Sequence, residues 1–335
     1  CDFSKDLNHP VYTNVSKEAG ITIEGFGLGV AICDINRDNW PDIYVTNDYV
    51  SDDLLYINNQ DGTFTDQAKK YFKHTSQAAM GNEVNDINND GLADFVVLDM
   101  LPKNNERKKQ FLPANNYQNY VNSNNMNYTY QYMRNTMQLN PGVYDKDHVK
   151  QFSEVGLLAG MAETEWSWCP SVTDFDNDGY LDVLHAGGNF GYYHNNGNNT
   201  FTQMNNLIAN PQTMHGFGLG DLNNDGFMDI YANYGNANGY VTPSNQSDIL
   251  WLSQPNGNHW VGFDLEGTIS NKNAVGALVE IHGAFGTQIR EVRSGVSYGI
   301  TNSNLLLFGI GANTSIDYAV IHWPAGGTQV IVNPG

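Results

Sequence analysis

One nine-residue pattern recurs four times along the chain and constrains its fold more than any other feature. The pattern places acidic or amide side chains at positions 1, 3, 5 and 9 of a short loop, and its copies begin at Asp34, Asp86, Asp174 and Asp221. These starts lie 52, 88 and 47 residues apart. Repetition at such a period is typical of an array of supersecondary units that stack on one another.

The residues in these loops are those that bind hard cations. Ca²⁺ takes six to eight oxygen ligands at about 2.3–2.6 Å. Positions 1, 3 and 5 offer side-chain oxygens on one side of the loop, position 7 offers a backbone carbonyl, and position 9 offers a carboxylate that can bind through both oxygens. The sequence therefore predicts about four structural calcium sites, with these ligands: Asp34, Asn36, Asp38, Trp40 and Asp42; Asp86, Asn88, Asp90, Leu92 and Asp94; Asp174, Asp176, Asp178, Tyr180 and Asp182; Asp221, Asn223, Asp225, Phe227 and Asp229.

The alternative interpretation is a set of Asx-rich turns that hold no metal. Four copies with the same internal pattern favour calcium, and so does the crowding of 13 aspartates into these loops. Position 6 is Gly in three copies and Asn39 in the other, which predicts a left-handed backbone there. The loops begin like an EF-hand, but strand-like runs follow them and the Glu at position 12 is missing. We expect the metal to stabilise the fold and not to take part in catalysis.

The net negative charge of the chain disfavours nucleic acids and anionic lipids as partners. The chain has 36 acidic and 16 basic residues, which gives a formal net charge of −20. Such a surface repels phosphate backbones and anionic lipids, so we expect no nucleic-acid partner.

The three cysteines do not form a disulfide framework or a zinc motif. Cys33 and Cys169 lie in apolar runs and are predicted to be buried free thiols. Cys1 has two interpretations. It is the residue that remains after cleavage of a bacterial lipoprotein signal peptide, or it is simply where this sequence begins. We expect contact with a membrane only through a lipid on Cys1.

Short, Gly-rich strands precede the loops, and strands with hairpins follow them, as in the hairpin at 54–64. Modules of about 50 residues with several strands each are typical of β-propeller blades. The predicted fold is all-β, with an N-terminal segment at 1–12, a calcium-binding propeller at 13–257 and a small β-sandwich-like domain at 258–335. The propeller region spans about five blades at roughly 48 residues each, so the long gap between the second and third loops is a candidate for a degenerate blade.

A second departure from the regular repeat lies within that gap. Residues 103–140 are rich in Asn, Tyr and Gln and form a predicted insertion. Such a segment is either a polar and aromatic surface that stacks on sugars or on another protein, or an insertion packed on the face of the ring.

The modules resemble the FG-GAP, or VCBS-type, repeats of integrin-type propellers. The segments at 130–140, 152–160 and 165–168 resemble the bacterial cartilage-acidic-protein-like family. The C-terminal region resembles the ASPIC/UnbV domain, through these segments: 258–260, 276–279, 290–295, 306–311 and 322–324. The resemblance implies a secreted, calcium-stabilised and non-catalytic protein. Family propellers carry more repeats than this chain, which leaves the closure of the ring open.

We therefore expect a non-catalytic binding or adhesion protein, located outside the cell or on the bacterial outer surface, with a lipid anchor at Cys1 as a further expectation. Its partner would be a protein or a glycan. The first alternative is a subunit that assembles with itself into a fibre or a surface complex, through unpaired sheet edges or through residues 2–12.

A propeller-scaffold enzyme is the weaker alternative. The segment 295–299 reads G-x-S-x-G around Ser297, but that motif needs a strand-to-helix turn and here β-like runs flank it on both sides. We predict that Ser297 is not catalytic and that a fluorophosphonate probe leaves it unlabelled.

Overall fold

The computed structural model describes residues 2–4, 9–49, 51–111, 116–145, 148–149, 151–187, 190–204, 214–234 and 247–334. Within these ranges the chain is built from β-strands with four short helices. Strands β1 (Asp2–Ser4) and β2 (His9–Val11) form an antiparallel hairpin. Cys1, on which the lipid prediction depends, lies outside the described residues, as do residues 5–8 of the N-terminal segment.

The first blade is a four-stranded antiparallel sheet in which each strand pairs with the next. Its strands are β3 (Gly27–Cys33), β4 (Asp42–Asn47), β5 (Leu54–Asn58) and β6 (Phe64–Asp66). Helix α1 (Ala68–Tyr71) and the short strand β7 (His74–Ser76) lead to the next blade.

The second blade begins with β8 (Asn82–Asn85) and β9 (Asp94–Val97) and is then interrupted. An insertion follows that contains α2 (Asn105–Gln110), α3 (Tyr117–Asn125) and β10 (Tyr130–Tyr132), and β10 pairs in parallel with β7. Strand β11 (Thr136–Leu139) resumes the sheet, a hairpin of β12 (Val143–Asp145) and β13 (His148–Val149) follows, and β14 (Ser153–Glu154) completes it.

This insertion corrects the prediction of a degenerate blade. The spacing of 88 residues arises because the extra chain lies inside the second blade, between β9 and β11. The described residues up to 251 therefore form four blades and not about five. Residues 112–115 of the insertion lie outside the described ranges.

The third blade follows helix α4 (Gly156–Ala159) and again has four antiparallel strands. They are β15 (Ser167–Thr173), β16 (Asp182–Gly187), β17 (Gly191–Asn195) and β18 (Phe201–Met204). In the fourth blade the described strands are β19 (Met214–Gly220), β20 (Asp229–Tyr234) and β21 (Ile249–Trp251).

The C-terminal region contains two further sheets. Strand β22 (His259–Phe263) pairs with a later strand, and β23 (Leu278–Gly283) pairs with β24 (Gly286–Glu291). Strand β25 (Leu306–Gly311) is the partner of β22, while β26 (Tyr318–His322) and β27 (Thr328–Val332) extend the sheet of β23. Phe263, Ile281 and Phe308 are buried in one cluster that both sheets share, which is the arrangement of a small β-sandwich.

Apolar clusters between successive blades hold the four sheets together. One such cluster occupies each of the three junctions, and Tyr44 and Phe95 belong to the one between the first two blades. All residues of β9 and β16 are buried, because inner blades are covered on both faces. On the outer face of the first blade, Val30 and Ile32 are 51% and 59% exposed.

The C-terminal domain lies along the first strands of the blades. Strand β8 lies against β3 and β15, as first strands do around the axis of a propeller. Asn302 donates to Ser171 in β15 at 3.2 Å, and the N–H of Ser303 donates to the carbonyl of Leu219 in β19 at 2.9 Å. The segment 293–303 therefore covers the side of the four blades on which their first strands lie, where the axis of a closed ring would be.

Candidate metal centres

All four loops have the same internal hydrogen bonds, which the second loop illustrates. The carboxylate of Asp86 accepts the N–H of Asp90 at 3.0 Å and the N–H of Gly91 at 2.9 Å, and Asp90 accepts the N–H of Leu92 at 2.9 Å. The equivalent bonds recur in the other three loops. Positions 1 and 5 thus turn their carboxylates toward the loop centre, where backbone N–H groups fix their orientation.

The aspartate at position 9 anchors each loop to its blade. Asp42, Asp94, Asp182 and Asp229 are fully buried. One carboxylate oxygen accepts the N–H of position 2 at 2.9–3.2 Å, and the other accepts an N–H from a neighbouring strand or its end at 2.8 Å. A carboxylate oxygen has two lone pairs, so both can still face a cation. The sequence pattern predicted a ligand here but not this structural anchor.

Two positions in each loop have left-handed backbone. The prediction for position 6 is confirmed, with φ of 69° at Asn39 and 83–99° at the three glycines. Position 4 is also left-handed in every copy, with φ of 57–58°. The sequence signal for it is the Asn found there in three of four copies, since Asn tolerates this region best among residues with a side chain.

Side chains at position 4 link successive loops. Asn89 of the second loop donates to the carbonyl of Gly179 in the third at 3.0 Å, and Asn177 of the third donates to the carbonyl of Gly226 in the fourth at 2.9 Å. A Cβ at Gly226 would overlap the indole of Trp260, so this glycine is needed for close packing as well as for its φ of 83°. The second, third and fourth loops therefore form a connected row that contacts the C-terminal domain.

Burial makes the first three loops electrostatically costly without a cation. Desolvation raises the pKa of Asp42 and of Asp86 to about 6, and it raises the pKa of Asp174 to about 8 with a further contribution from the charge of Asp182. A bound divalent cation would remove this cost, because it favours the ionised carboxylates. The carboxylate, amide and backbone oxygens of the loops fit the ligand preference of Ca²⁺.

The third loop contains the densest group of ligand atoms. Its position 3 is Asp176 and not Asn, and carboxylate oxygens of Asp174, Asp176 and Asp178 lie within 4.8 Å of one another. His194 in β17 joins this group, with Nδ1 3.2 Å from Asp182 and 3.4 Å from Asp176. Its hydrogen bond to Asp182 and the nearby carboxylates raise the pKa of His194 to about 9.

In the other three loops the amide of the position-3 Asn donates to the position-5 carboxylate at 2.9–3.1 Å. The structure thus brings together the side chains predicted at positions 1, 3, 5 and 9. Sequence reasoning missed His194 as a neighbour of the third loop. The only sequence feature that could have indicated it is its position in the hairpin after the loop, just before Asn195. The residues at position 7 donate their N–H to position 5, and their carbonyls as ligands remain a prediction.

The pKa shifts predict a pH dependence with a definite sign. In metal-free protein the first three folded loops retain protons that the unfolded chain, with carboxyl pKa values near 4, has already released. The free energy of unfolding in EDTA should therefore fall as the pH rises from about 5 to 8. Calcium replaces these protons, so the difference in melting temperature between calcium and EDTA should grow over the same range. Calorimetry at several pH values tests this, and two parallel curves would contradict it.

The segment around Ser297 has no strand-to-helix turn. It lies in the connection from β24 to β25, where Val296 and Ile300 form an isolated bridge. Ser297 is 7% exposed, and its hydroxyl has no hydrogen-bond partner among the described residues. The prediction that Ser297 is not catalytic remains to be tested.

Cys33 and Cys169 are buried free thiols, as predicted.

Comparison with protein families identifies both parts of the chain. Residues 26–97 and 174–232 match the FG-GAP-like repeat, and residues 267–335 match the ASPIC and UnbV family. The predicted combination of FG-GAP-like repeats with a C-terminal ASPIC/UnbV domain is confirmed. This combination, together with the sheets described above, defines a propeller-like, all-β protein of a class typical of cell surfaces and the extracellular space.

Comparisons with individual proteins add little. No curated protein matches the chain. One solved structure that matches is an Agrocybe aegerita lectin, described for its specific recognition of non-reducing terminal N-acetylglucosamine. It is 14% identical, the alignment covers 96% of this chain and 83% of the lectin, and the TM-score is 0.37. That likeness is too weak to support an argument about fold or ligand. None of the described helices has the length and hydrophobicity needed to span a membrane.

Proposed function

We propose that the protein is a non-catalytic binding or adhesion protein that acts at the cell surface or outside the cell and contains about four structural calcium ions. This proposal rests on the hydrogen bonds that orient the carboxylates of the loops. In every loop the aspartates at positions 1, 5 and 9 accept backbone N–H groups. A cation held by such carboxylates stiffens the blade, and binding to the folded state alone stabilises it.

An exposed aromatic surface supports a protein or glycan partner. In the insertion, Tyr117 stacks on Tyr120 and Tyr120 on Tyr130, with ring centroids 6.1 and 6.4 Å apart. These rings are 75%, 44% and 53% exposed. Tyrosines arranged in this way offer rigid faces for sugars or for protein side chains.

Self-assembly is the second candidate, and the first blade favours it. Its outer face carries Val30 and Ile32, both more than half exposed, and no described part of the chain covers them. A second copy could cover such a face or add a strand through residues 2–12. A lipid at Cys1 remains a proposal.

Two measurements separate these functions. A binding protein is expected to remain a monomer with calcium in light scattering and to retain specific glycans on an array. A structural subunit is expected to form polymers in electron micrographs, which deletion of residues 2–12 should abolish. Calcium-loaded monomers that retain no glycan and no extracellular protein would contradict both proposals.

A further inference from the structure

The third metal loop differs from the other three in the residue that faces it from the third strand of its blade. In every blade an N–H group of that strand or its end donates to the anchoring aspartate at 2.8 Å, and the residue just before this donor occupies an equivalent position. It is His194 in the third blade and an aliphatic residue in the others: Ile57, Leu139 and Leu252. The blade can therefore be built without an imidazole here.

The distances around His194 suit a metal ligand. Its Nδ1 atom lies 3.2 Å from Oδ1 of Asp182 and 3.4 Å from Oδ2 of Asp176. Two donor atoms that bind one ion at right angles, each about 2.1 Å from it, are about 3 Å apart. Carboxylate oxygens of Asp174, Asp176 and Asp178 lie within 4.8 Å of one another, and ligands on opposite sides of such an ion are about 4 Å apart. The imidazole thus lies where one ligand of a small octahedral ion would lie.

The hydroxyl of Tyr192 limits the oxygens that the anchoring aspartate of this loop can offer. Oδ2 of Asp182 accepts this hydroxyl at 2.8 Å and the N–H of Phe175 at 3.2 Å, which uses both of its lone pairs. Oδ1 accepts the N–H of Asn195, which leaves one lone pair for a metal. The residues equivalent to Tyr192 in the other blades have no hydroxyl: Leu55, Met137 and Leu250. The third loop is therefore expected to offer one oxygen fewer than the others.

These two differences change the ion that the loop suits. Side chains at positions 1, 3 and 5, the predicted carbonyl at position 7 and one oxygen of Asp182 supply five ligands, and His194 supplies the sixth. Ca²⁺ takes six to eight oxygen ligands, whereas divalent transition-metal ions accept imidazole nitrogen. Among these ions, Mn²⁺ favours carboxylates and octahedral sites. Position 3 adds a further negative charge, because it is Asp176 here and Asn in the other loops.

We propose that the third loop selects a six-coordinate transition-metal ion such as Mn²⁺ over Ca²⁺, with Nδ1 of His194 as a ligand. The metal takes the place of a proton on this imidazole, since a ligating histidine must be deprotonated. Without a transition metal the loop accepts Ca²⁺ more weakly, and the three loops without a histidine prefer Ca²⁺. This inference rests on the metal-binding part of the proposed function and names a different ion for one of the four sites.

Metal competition tests the proposal. Metal-free protein is dialysed at about pH 8, where the imidazole releases its proton to a metal more readily, against equal concentrations of Ca²⁺ and Mn²⁺. Elemental analysis should find one Mn²⁺ and three Ca²⁺ per chain, and pulsed EPR should show coupling of the Mn²⁺ to one imidazole nitrogen. His194→Leu, which installs the residue of the second and fourth blades, should lose that coupling and weaken Mn²⁺ binding at least about tenfold.

Two further variants separate the roles of the residues. Tyr192→Phe removes the hydroxyl from Oδ2 of Asp182, so it should narrow the preference for Mn²⁺ over Ca²⁺ while the nitrogen coupling persists. The matched control is His322→Leu, which changes an exposed histidine of β26. It should leave the bound metals and the EPR spectrum as they are in the wild type.

Three results would overturn the assignment: Mn²⁺ binds without nitrogen coupling, His194→Leu binds Mn²⁺ as the wild type does, or the wild type binds three ions and His194→Leu binds four. The last result would show that a charged imidazole replaces a cation in this loop. If four Ca²⁺ bind and Mn²⁺ displaces none, the calcium proposal stands and only the selectivity is wrong. If no metal binds, structural calcium fails as well. If His194→Leu does not fold, the wild-type EPR spectrum and Tyr192→Phe decide.

Discussion

Removing calcium is expected to lower the melting temperature of the protein by at least about 20 °C. One site stabilises the folded state by about 2.7 kcal/mol when the free ion is at a hundredfold excess over its Kd, so four sites reach about 11 kcal/mol. For domains of some 200 residues, each kcal/mol shifts the melting temperature by about 2–4 °C. The loops transmit this stabilisation because their anchoring aspartates are fully buried and bonded to neighbouring strands or their ends.

Single substitutions can localise the effect of calcium. Asp94→Asn should remove much of the calcium-dependent gain of the second loop, because Asp94 bonds to Ile87 and to Asn140. Asp61→Asn, in an exposed hairpin, is the matched control and should melt like the wild type. Scanning calorimetry with elemental analysis of the metal-free sample is the measurement. An unchanged melt in protein shown to be free of metal would reject structural calcium.

Replacing Arg293 with Met is expected to destabilise the contact between the C-terminal domain and the second blade by about 3–5 kcal/mol, the range for breaking a buried ion pair. Arg293 donates to the carbonyl of Val84, pairs with Glu291 at 3.0 Å and lies 3.9 Å from Glu83. Glu83 is only 5% exposed, and burial raises its pKa to about 7 even with the arginine present. Without Arg293, Glu83 would lose the cation that opposes this shift.

The double variant Glu83→Gln with Arg293→Met should recover part of this loss, because it removes the isolated acid. Arg107→Met is the control. It removes a surface ion pair from a side chain that is 64% exposed, and it should cost less than about 1 kcal/mol. Chemical denaturation and limited proteolysis between residues 251 and 300 measure the effect. Equal stability of Arg293→Met and the wild type would show that the domain is held in some other way.

The shape of the four loops could be predicted from the sequence because the side chains at positions 1, 3, 5 and 9 lie within nine residues of one another, while their calcium remains a prediction. Spacing alone then determines which oxygens meet, and the left-handed position 6 follows from Gly and Asn. The all-β fold and the ASPIC/UnbV domain were predicted with them, from the repeats and from the resemblance. Each of these inferences depends on local pattern.

The contacts that sequence reasoning missed depend on strand register or on long separations. His194 reaches the third loop only because β17 pairs with β16 in one register. An insertion was predicted at 103–140, and only the added expectation of a degenerate blade in the same gap was wrong, since the four-residue strands on either side of the insertion carry little pattern. The position of the C-terminal domain follows from contacts such as Cys169 with Tyr298, 129 residues apart, which no local pattern specifies.

The local contacts within each blade and the long-range contacts of the C-terminal domain also imply an order of folding. Each anchoring aspartate bonds to partners 7 to 46 residues away, so a blade can close before the rest of the chain is in place. The segment 293–303 bonds to residues 83 to 209 positions earlier and can dock only when the blades are in place. A chain with a misfolded blade would leave this segment undocked, with Ile300, normally 4% exposed, open to proteases. The docking of segment 293–303 is thus expected to report on whether the earlier blades have folded correctly.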